Sequence, residues 1–168
     1  MAQRKSRAGA PNIQLLHTGA DLRQVSKELR RMNDKEITKR FRKELRAAAA
    51  PFVPAVRAAI DDIPVKGTSG STGLRKRLKK DTKLPVRTVG KNASVSIGLP
   101  GAGMPSGQRA LPAAMEGTKK WRHPVFGDTD VWVQQEPHPY FYRTVRPMGV
   151  AAKAAVNRVV NQITRDIT

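Results

Sequence analysis

The segment MEGTKKWRHPVFGDTDVWVQQEPHPYFYR, residues 115–143, holds both tryptophans, both tyrosines, two of the three histidines and two of the four phenylalanines of a 168-residue chain. The remainder is rich in Ala, Lys and Arg and nearly free of aromatics. Large aromatics bury the most area per residue, so this segment is expected to fix the fold. Its histidines and acids raise a second reading as a catalytic site, and its turns a third as a contact surface.

Within the segment, Val131 and Val133 flank Trp132 and predict a strand after a Gly127-Asp128 turn. Pro137 and Pro139 exclude regular structure until Tyr140. Upstream, Leu111, Ala113 and Met115 alternate, which predicts another strand. Downstream, a last helix is predicted to begin near Pro147, with Ala152, Val156, Val159, Val160, Ile163 and Ile167 on its buried face. Trp121, Phe126, Trp132, Tyr140 and Phe141 are expected to anchor the sheet against a helical stripe that includes Phe41, Leu45 and Phe52.

That stripe lies in the N-terminal half. Residues 1–12, with Arg4, Lys5 and Arg7, read as a mobile basic arm ahead of a single α+β domain over 13–168. Residues 13–16 are a short strand or the entry to a helix. Asp21 is a candidate N-cap for a helix with Leu22, Val25, Leu29 and Met32 on one face. Asp34 is placed to cap a second helix, whose stripe runs Ile37, Phe41, Leu45, Ala48, Phe52, Val56, Ile60 and Ile63. Its other face is Lys35, Lys39, Arg40, Arg42, Lys43 and Arg46. Pro51 and Pro54 remove two helical donors while the stripe stays in phase, so one bent helix or two nearly collinear pieces are expected. Residues 64–73 and 100–109 read as flexible Gly-rich loops. Between them, Val86 and Thr88, then Val95, Ile97 and Leu99, predict a hairpin turning near 90–93. Helices, a small, mainly antiparallel sheet with an extended basic hairpin, and a C-terminal helix make the fold class α+β.

A chain of this length can bury roughly 70% of its unfolded surface, enough for a core without staples. It has no cysteine, which excludes disulfides, thiolate metal sites and a Cys nucleophile. No apolar run approaches the length of a membrane span, and no membrane partner is expected. With 32 Lys+Arg against 13 Asp+Glu, the formal charge is +19, which favours a polyanion or an acidic protein surface as neighbour. Residues 74–91 alone carry eight Lys/Arg and one Asp. Arg75, Lys76, Arg77, Lys79, Lys80 and Lys83 are therefore the candidate partner- or DNA-facing cations, weighed against a solvated helix end. The run lacks interleaved aromatics and any reader motif, so a nucleic-acid contact there would ignore sequence.

The stretch Gly101-Ala-Gly103-Met-Pro-Ser-Gly107 lacks the Gly-Lys-Ser/Thr ending of a phosphate loop. His123, Asp128, Asp130, Glu136 and His138 fall at no helical ligand spacing, and prolines and glycines intervene. No catalytic residue, metal or cofactor is expected.

Three blocks together carry a resemblance. One is the long charged helix ending at Ile63-Pro64, then Ser71-Thr72-Gly73-Leu74-Arg75. Another is Met115-Glu116-Gly117-Thr118 closing a strand. The most specific is Arg122-His123-Pro124-Val125-Phe126-Gly127, then Trp132-Val133-Gln134-Gln135 and Pro137-His138-Pro139-Tyr140-Phe141, followed by a helix. Over roughly residues 20–168 the chain resembles the tail-component family of long-tailed bacteriophages, also described as neck or tail-completion proteins and tail-terminator-like. The resemblance implies a non-enzymatic virion protein, made in the host bacterial cytoplasm, that joins a ring of six copies around the DNA channel at the head-to-tail junction. Neighbouring neck or connector and tail-tube proteins would be its partners, with non-specific contact to packaged DNA. His123, Pro124, Gly127, Asp128 and His138 would then aim loops at a neighbouring subunit. The charge by itself supports a rival, a basic non-sequence-specific nucleic-acid-binding protein.

Overall fold

The computed structural model describes residues 12–13, 20–64, 73–88, 93–105, 108–125 and 128–168. A two-residue strand, β1 (Asn12–Ile13), precedes four helices: α1 (Ala20–Met32), α2 (Lys35–Ala49), α3 (Phe52–Asp61) and α4 (Leu74–Asp81). Short strands β2 (Val86–Arg87), β3 (Ser94–Val95) and β4 (Ile97–Gly98) follow, then α5 (Leu111–Glu116). A longer hairpin, β5 (Trp121–Val125) and β6 (Asp128–Gln135), leads to the C-terminal helix α6 (Phe141–Ile167). The class is α+β.

The helices begin and end for local reasons. Asp34 caps α2 as its position predicts, its carboxylate accepting the N–H groups of Glu36 and Ile37, both at 2.9 Å. Asp21 sits inside the first turn of α1 rather than at its cap, where its charge still faces the positive end of the helix dipole. The long stripe is carried by two pieces, because Pro51 has no N–H to continue the ladder. Ala50 and Pro51 keep helical dihedrals, so the stripe crosses the break in phase. Pro54 falls in the first turn of α3, where a missing donor costs little.

Two elements differ from the sequence expectation. Residues 111–116 form a helix, not a strand: Pro112 sits at its start and Ala113, Ala114, Met115 and Glu116 are good helix formers. Three alternating apolar residues cannot separate one turn of helix from a strand. The last helix starts at Phe141, six residues before Pro147, which lies in its interior. What moves the start upstream is a carboxylate from elsewhere in the chain, described below.

The helices form the main core. α6 packs along α1, α2 and α3, burying Phe141, Val145, Ala152, Val156, Val160 and Ile163 against Leu22, Val25, Leu29, Phe41, Leu45, Phe52, Val56 and Ile60. Met32, expected on that face, is instead 47% exposed. Val159 and Ile167 are half-buried. Arg40 bridges Glu44 at 2.7 Å and Asp166 at 2.9 Å, tying α2 to the end of α6.

The strands pair two at a time, antiparallel, as β1–β4, β2–β3 and β5–β6. The predicted hairpin is present, with Val86 opposite Val95 and Arg87 opposite Ser94; its turn lies outside the described residues. The Lys83–Gly98 bridge extends this pairing, and β1 adds to the other side of β4. Residues 93–99 are buried throughout, with Val95, Ile97 and Leu99 fully enclosed. The basic run belongs to α4 rather than to this hairpin. Most of the expected arm 1–12 and of the loop 64–73 lies outside the described residues.

Candidate functional site

The β5–β6 hairpin leaves the body of the protein. Its register runs from Trp121 opposite Gln135 to Pro124 opposite Trp132, with a shift before the Val125–Asp128 pair. The two strands pack chiefly on each other. Trp121, at the root, is half-buried and packs on the core. Farther out, Val131 is 50%, Trp132 48% and Val133 39% exposed. Successive strand residues point to opposite faces, so both faces of the hairpin carry exposed apolar surface. The guanidinium of Arg122 lies over the Trp132 ring, 5.8 Å from its centroid, as the diagonal cross-strand position allows.

The aromatic anchors therefore divide. Tyr140 and Phe141 are buried, and Trp121 is half-buried, as expected of anchors. Trp132 is not one: its strand packs chiefly on β5, and the residue is about half exposed. Phe126 and Gly127 lie outside the described residues, and of His123, Pro124 and Asp128 only the backbone is described. His138 is half-buried, and its backbone N–H donates to Met115 O at 2.9 Å.

That bond belongs to a junction the sequence does not reveal. Glu116, at the end of α5, accepts the N–H groups of Tyr140 at 2.7 Å, Phe141 at 2.6 Å and Tyr142 at 3.1 Å. These are donors a helix start leaves without partners, and a carboxylate is also favoured there by the dipole. Glu116 thus caps α6 from 24 residues upstream. The Tyr140 phenol is buried, with no hydrogen-bond partner for its hydroxyl among the described residues. Burial first, then the negative charges of Glu116 and Asp81, hold its pKa well above the ordinary value of 10.0.

Asp81 is the second hidden anchor. Its buried carboxylate accepts Gly101 N–H at 2.6 Å and Gly103 N–H at 2.9 Å. Gly101 has φ +73°, and a Cβ there would stand 2.6 Å from Arg109 O. The two glycine amides, which in a phosphate loop would face a phosphate, face the chain's own carboxylate.

The expected partner-facing cations are largely employed within the fold. Arg75 donates through Nε at 3.0 Å, and through a second nitrogen, to Ile63 O. Arg77 reaches Gln108 Oε1 at 3.3 Å, and Lys79 pairs with Asp61 at 2.7 Å. Lys83 Nζ donates to Lys80 O at 2.9 Å. Lys76 and Lys80 keep exposed side chains with no acidic partner among the described residues.

A second cationic face lies on α1 and α2, where Arg42 also donates to Thr88 Oγ1 at 3.3 Å. Arg23, Lys27 and Arg30, then Lys35, Lys39, Arg42, Lys43 and Arg46, are all exposed. Of these only Lys39 has an acidic partner among the described residues, Glu36 at a loose 3.9 Å. Arg30, Lys35, Lys39 and Arg42 line a cleft of about 270 Å³ together with Ser26, Thr38 and Thr88. Its one acid, Asp34, is already turned to the cap. The α2 part of this face is the one that helical spacing predicts opposite the apolar stripe.

Among the described residues no three His, Asp or Glu side chains converge as a metal site, and no helix is long and apolar enough to cross a membrane. Compared with known protein families, curated proteins and solved structures, the chain matches none.

Proposed function

We propose that the protein is a structural subunit of a tailed-phage virion, acting at the neck, where it completes or terminates the tail and enables head-tail joining. The observation that carries this reading is the projecting β5–β6 hairpin with Val131, Trp132 and Val133 in solvent. Exposed apolar surface on an extended element suits a protein that is completed by neighbours. The resemblance over the Trp-Val-Gln-Gln and Pro-His-Pro-Tyr-Phe blocks supplies the setting, a ring around the DNA channel. Particles assembled without the protein and viewed by electron microscopy test it. Filled heads and separate or ill-terminated tails are expected; normal tails on filled heads refute the reading.

The α1–α2 cationic face favours a second reading, in which the protein touches nucleic-acid phosphates irrespective of sequence. Each neutralised phosphate adds about 0.9 to the slope of log affinity against log salt. Retention on duplex DNA should show a slope of about 4.5 if Lys35, Lys39, Arg42, Lys43 and Arg46 engage. Replacing those five by Gln should lower the slope by about that amount. Weak retention with an unchanged slope in the variant removes this reading and leaves the first.

A further inference from the structure

The hairpin has a counterpart on the same molecule. A groove of about 780 Å³ runs between α1 and the last turns of α6. Val25, Met32, Val160 and Ile167 supply its apolar lining, and Asp21 and Glu28 its acids. Met32 is 47% exposed there, although it continues the helical stripe that elsewhere makes the core. The single cation, Arg31, already faces Glu28 at 3.9 Å. On a chain of charge +19, a groove with an acidic margin is the exception. The hairpin offers it three consecutive exposed apolar residues, with exposed Arg122 over Trp132 and Lys119 at the root; Lys120 is paired with Glu136, and Asp130 is the exposed acid beside the apolar run.

We infer that the β5–β6 hairpin of one copy of this chain docks in the α1–α6 groove of the next copy. This rests on the ring reading above and names the two faces such a ring would join. A closed ring is built from heterologous contacts, so each subunit must offer two different surfaces that do not overlap. The hairpin enters α6 at its first turn, and the groove lies near its last. From residue 141 to residue 164 the helix rises roughly 35 Å at 1.5 Å per residue. Tongue and groove thus stand at opposite ends of one long element, and each copy can receive a neighbour while inserting into another. The groove's volume falls in the range of clefts that hold a drug-sized molecule, about 300–1,000 Å³, which is room by volume for an indole with a flanking valine. Trp132, already carrying Arg122 on its face, would bring a cation toward Asp21 and Glu28.

The absence of cysteine permits a direct test. Val131→Cys and Met32→Cys sit at exposed positions and should leave the fold intact. Each single variant is purified, and the two are mixed and treated with a flexible bismaleimide, alongside sedimentation of the wild type. The mixture should give a linked dimer, neither variant alone should, and the double variant should give a ladder. Adding Trp132→Ser should cut the linked yield at least fivefold with unchanged melting temperature. Linking of Val131→Cys protein to itself would replace this contact with a symmetric hairpin pair. Oligomers in sedimentation without linking between the two variants would overturn the contact and leave the ring reading standing. A monomer at every concentration with no linking would remove both.

Discussion

Replacing Glu116 by Ala tests the junction on which the aromatic segment depends. One carboxylate accepts three backbone N–H groups, at 2.7, 2.6 and 3.1 Å, from the first residues of α6. A hydrogen bond to a charged group contributes about 1.5–3 kcal/mol, and a cap is worth about 1 kcal/mol. Three bonds to one group do not add, and the donors are only partly buried, so water recovers part of the loss. Glu116→Ala should cost about 2–4 kcal/mol, roughly 5–15 °C in Tm for a chain of this size. Glu116→Gln keeps one acceptor oxygen but loses the charge and turns an NH2 toward a donor, so about 1–2 kcal/mol is expected. Glu136→Ala is the control from the same segment. Its ion pair with Lys120 is solvent-exposed, and such pairs contribute at most about 1 kcal/mol. Urea unfolding followed by far-ultraviolet circular dichroism measures all three. If Glu116→Ala is as stable as Glu136→Ala, the cap does not hold α6 and the start of that helix needs another cause.

Tyr140→Phe removes a buried hydroxyl without a partner and should be at least as stable as the wild type; a loss above about 1 kcal/mol would mean that a bound water satisfies it. The folded phenol pKa lies above the unfolded value of 10.0, so the unfolded chain releases this proton first and the wild type loses stability as pH rises beyond that value. The variant's relative stability should therefore increase in unfolding curves taken above pH about 10. Gly101→Ala meets both a φ of +73° and Arg109 O at 2.6 Å, and should destabilise by about 1–3 kcal/mol in thermal melts. Arg75→Gln should lose about 1–2 kcal/mol of stability with the DNA salt slope unchanged, whereas Arg46→Gln should lower the slope by about 0.9 with little change in stability.

Particular elements show where sequence reading stops. Phe41, Leu45, Phe52, Val56 and Ile60 were legible because one face of a helix must repeat at three and four residues. Asp34 was legible because its capping bonds reach only two and three residues ahead. Asp81 and Glu116 were not. One is the lone acid in a basic run and the other precedes a glycine, and each meets its partners 20 or more residues away. Density of charge misled in the same way: Arg75, Arg77, Lys79 and Lys83 form a cationic run in sequence, yet each is turned to an acceptor within the fold.

The chain by itself determined the helical stripes, the break at Pro51, the α+β class and a net charge of +19. These follow from periodicity, from covalent geometry and from composition, all of which are local or additive. Only the tertiary structure decided the roles within residues 115–143. It turned residues 111–116 into a helix, sent Glu116 to cap α6, enclosed Tyr140 and Phe141, and left Trp132 in solvent. A tryptophan on an alternating strand is written the same way whether it meets a core or a neighbour. Whether it is buried depends on which elements pack against that strand, and this hairpin packs chiefly on itself.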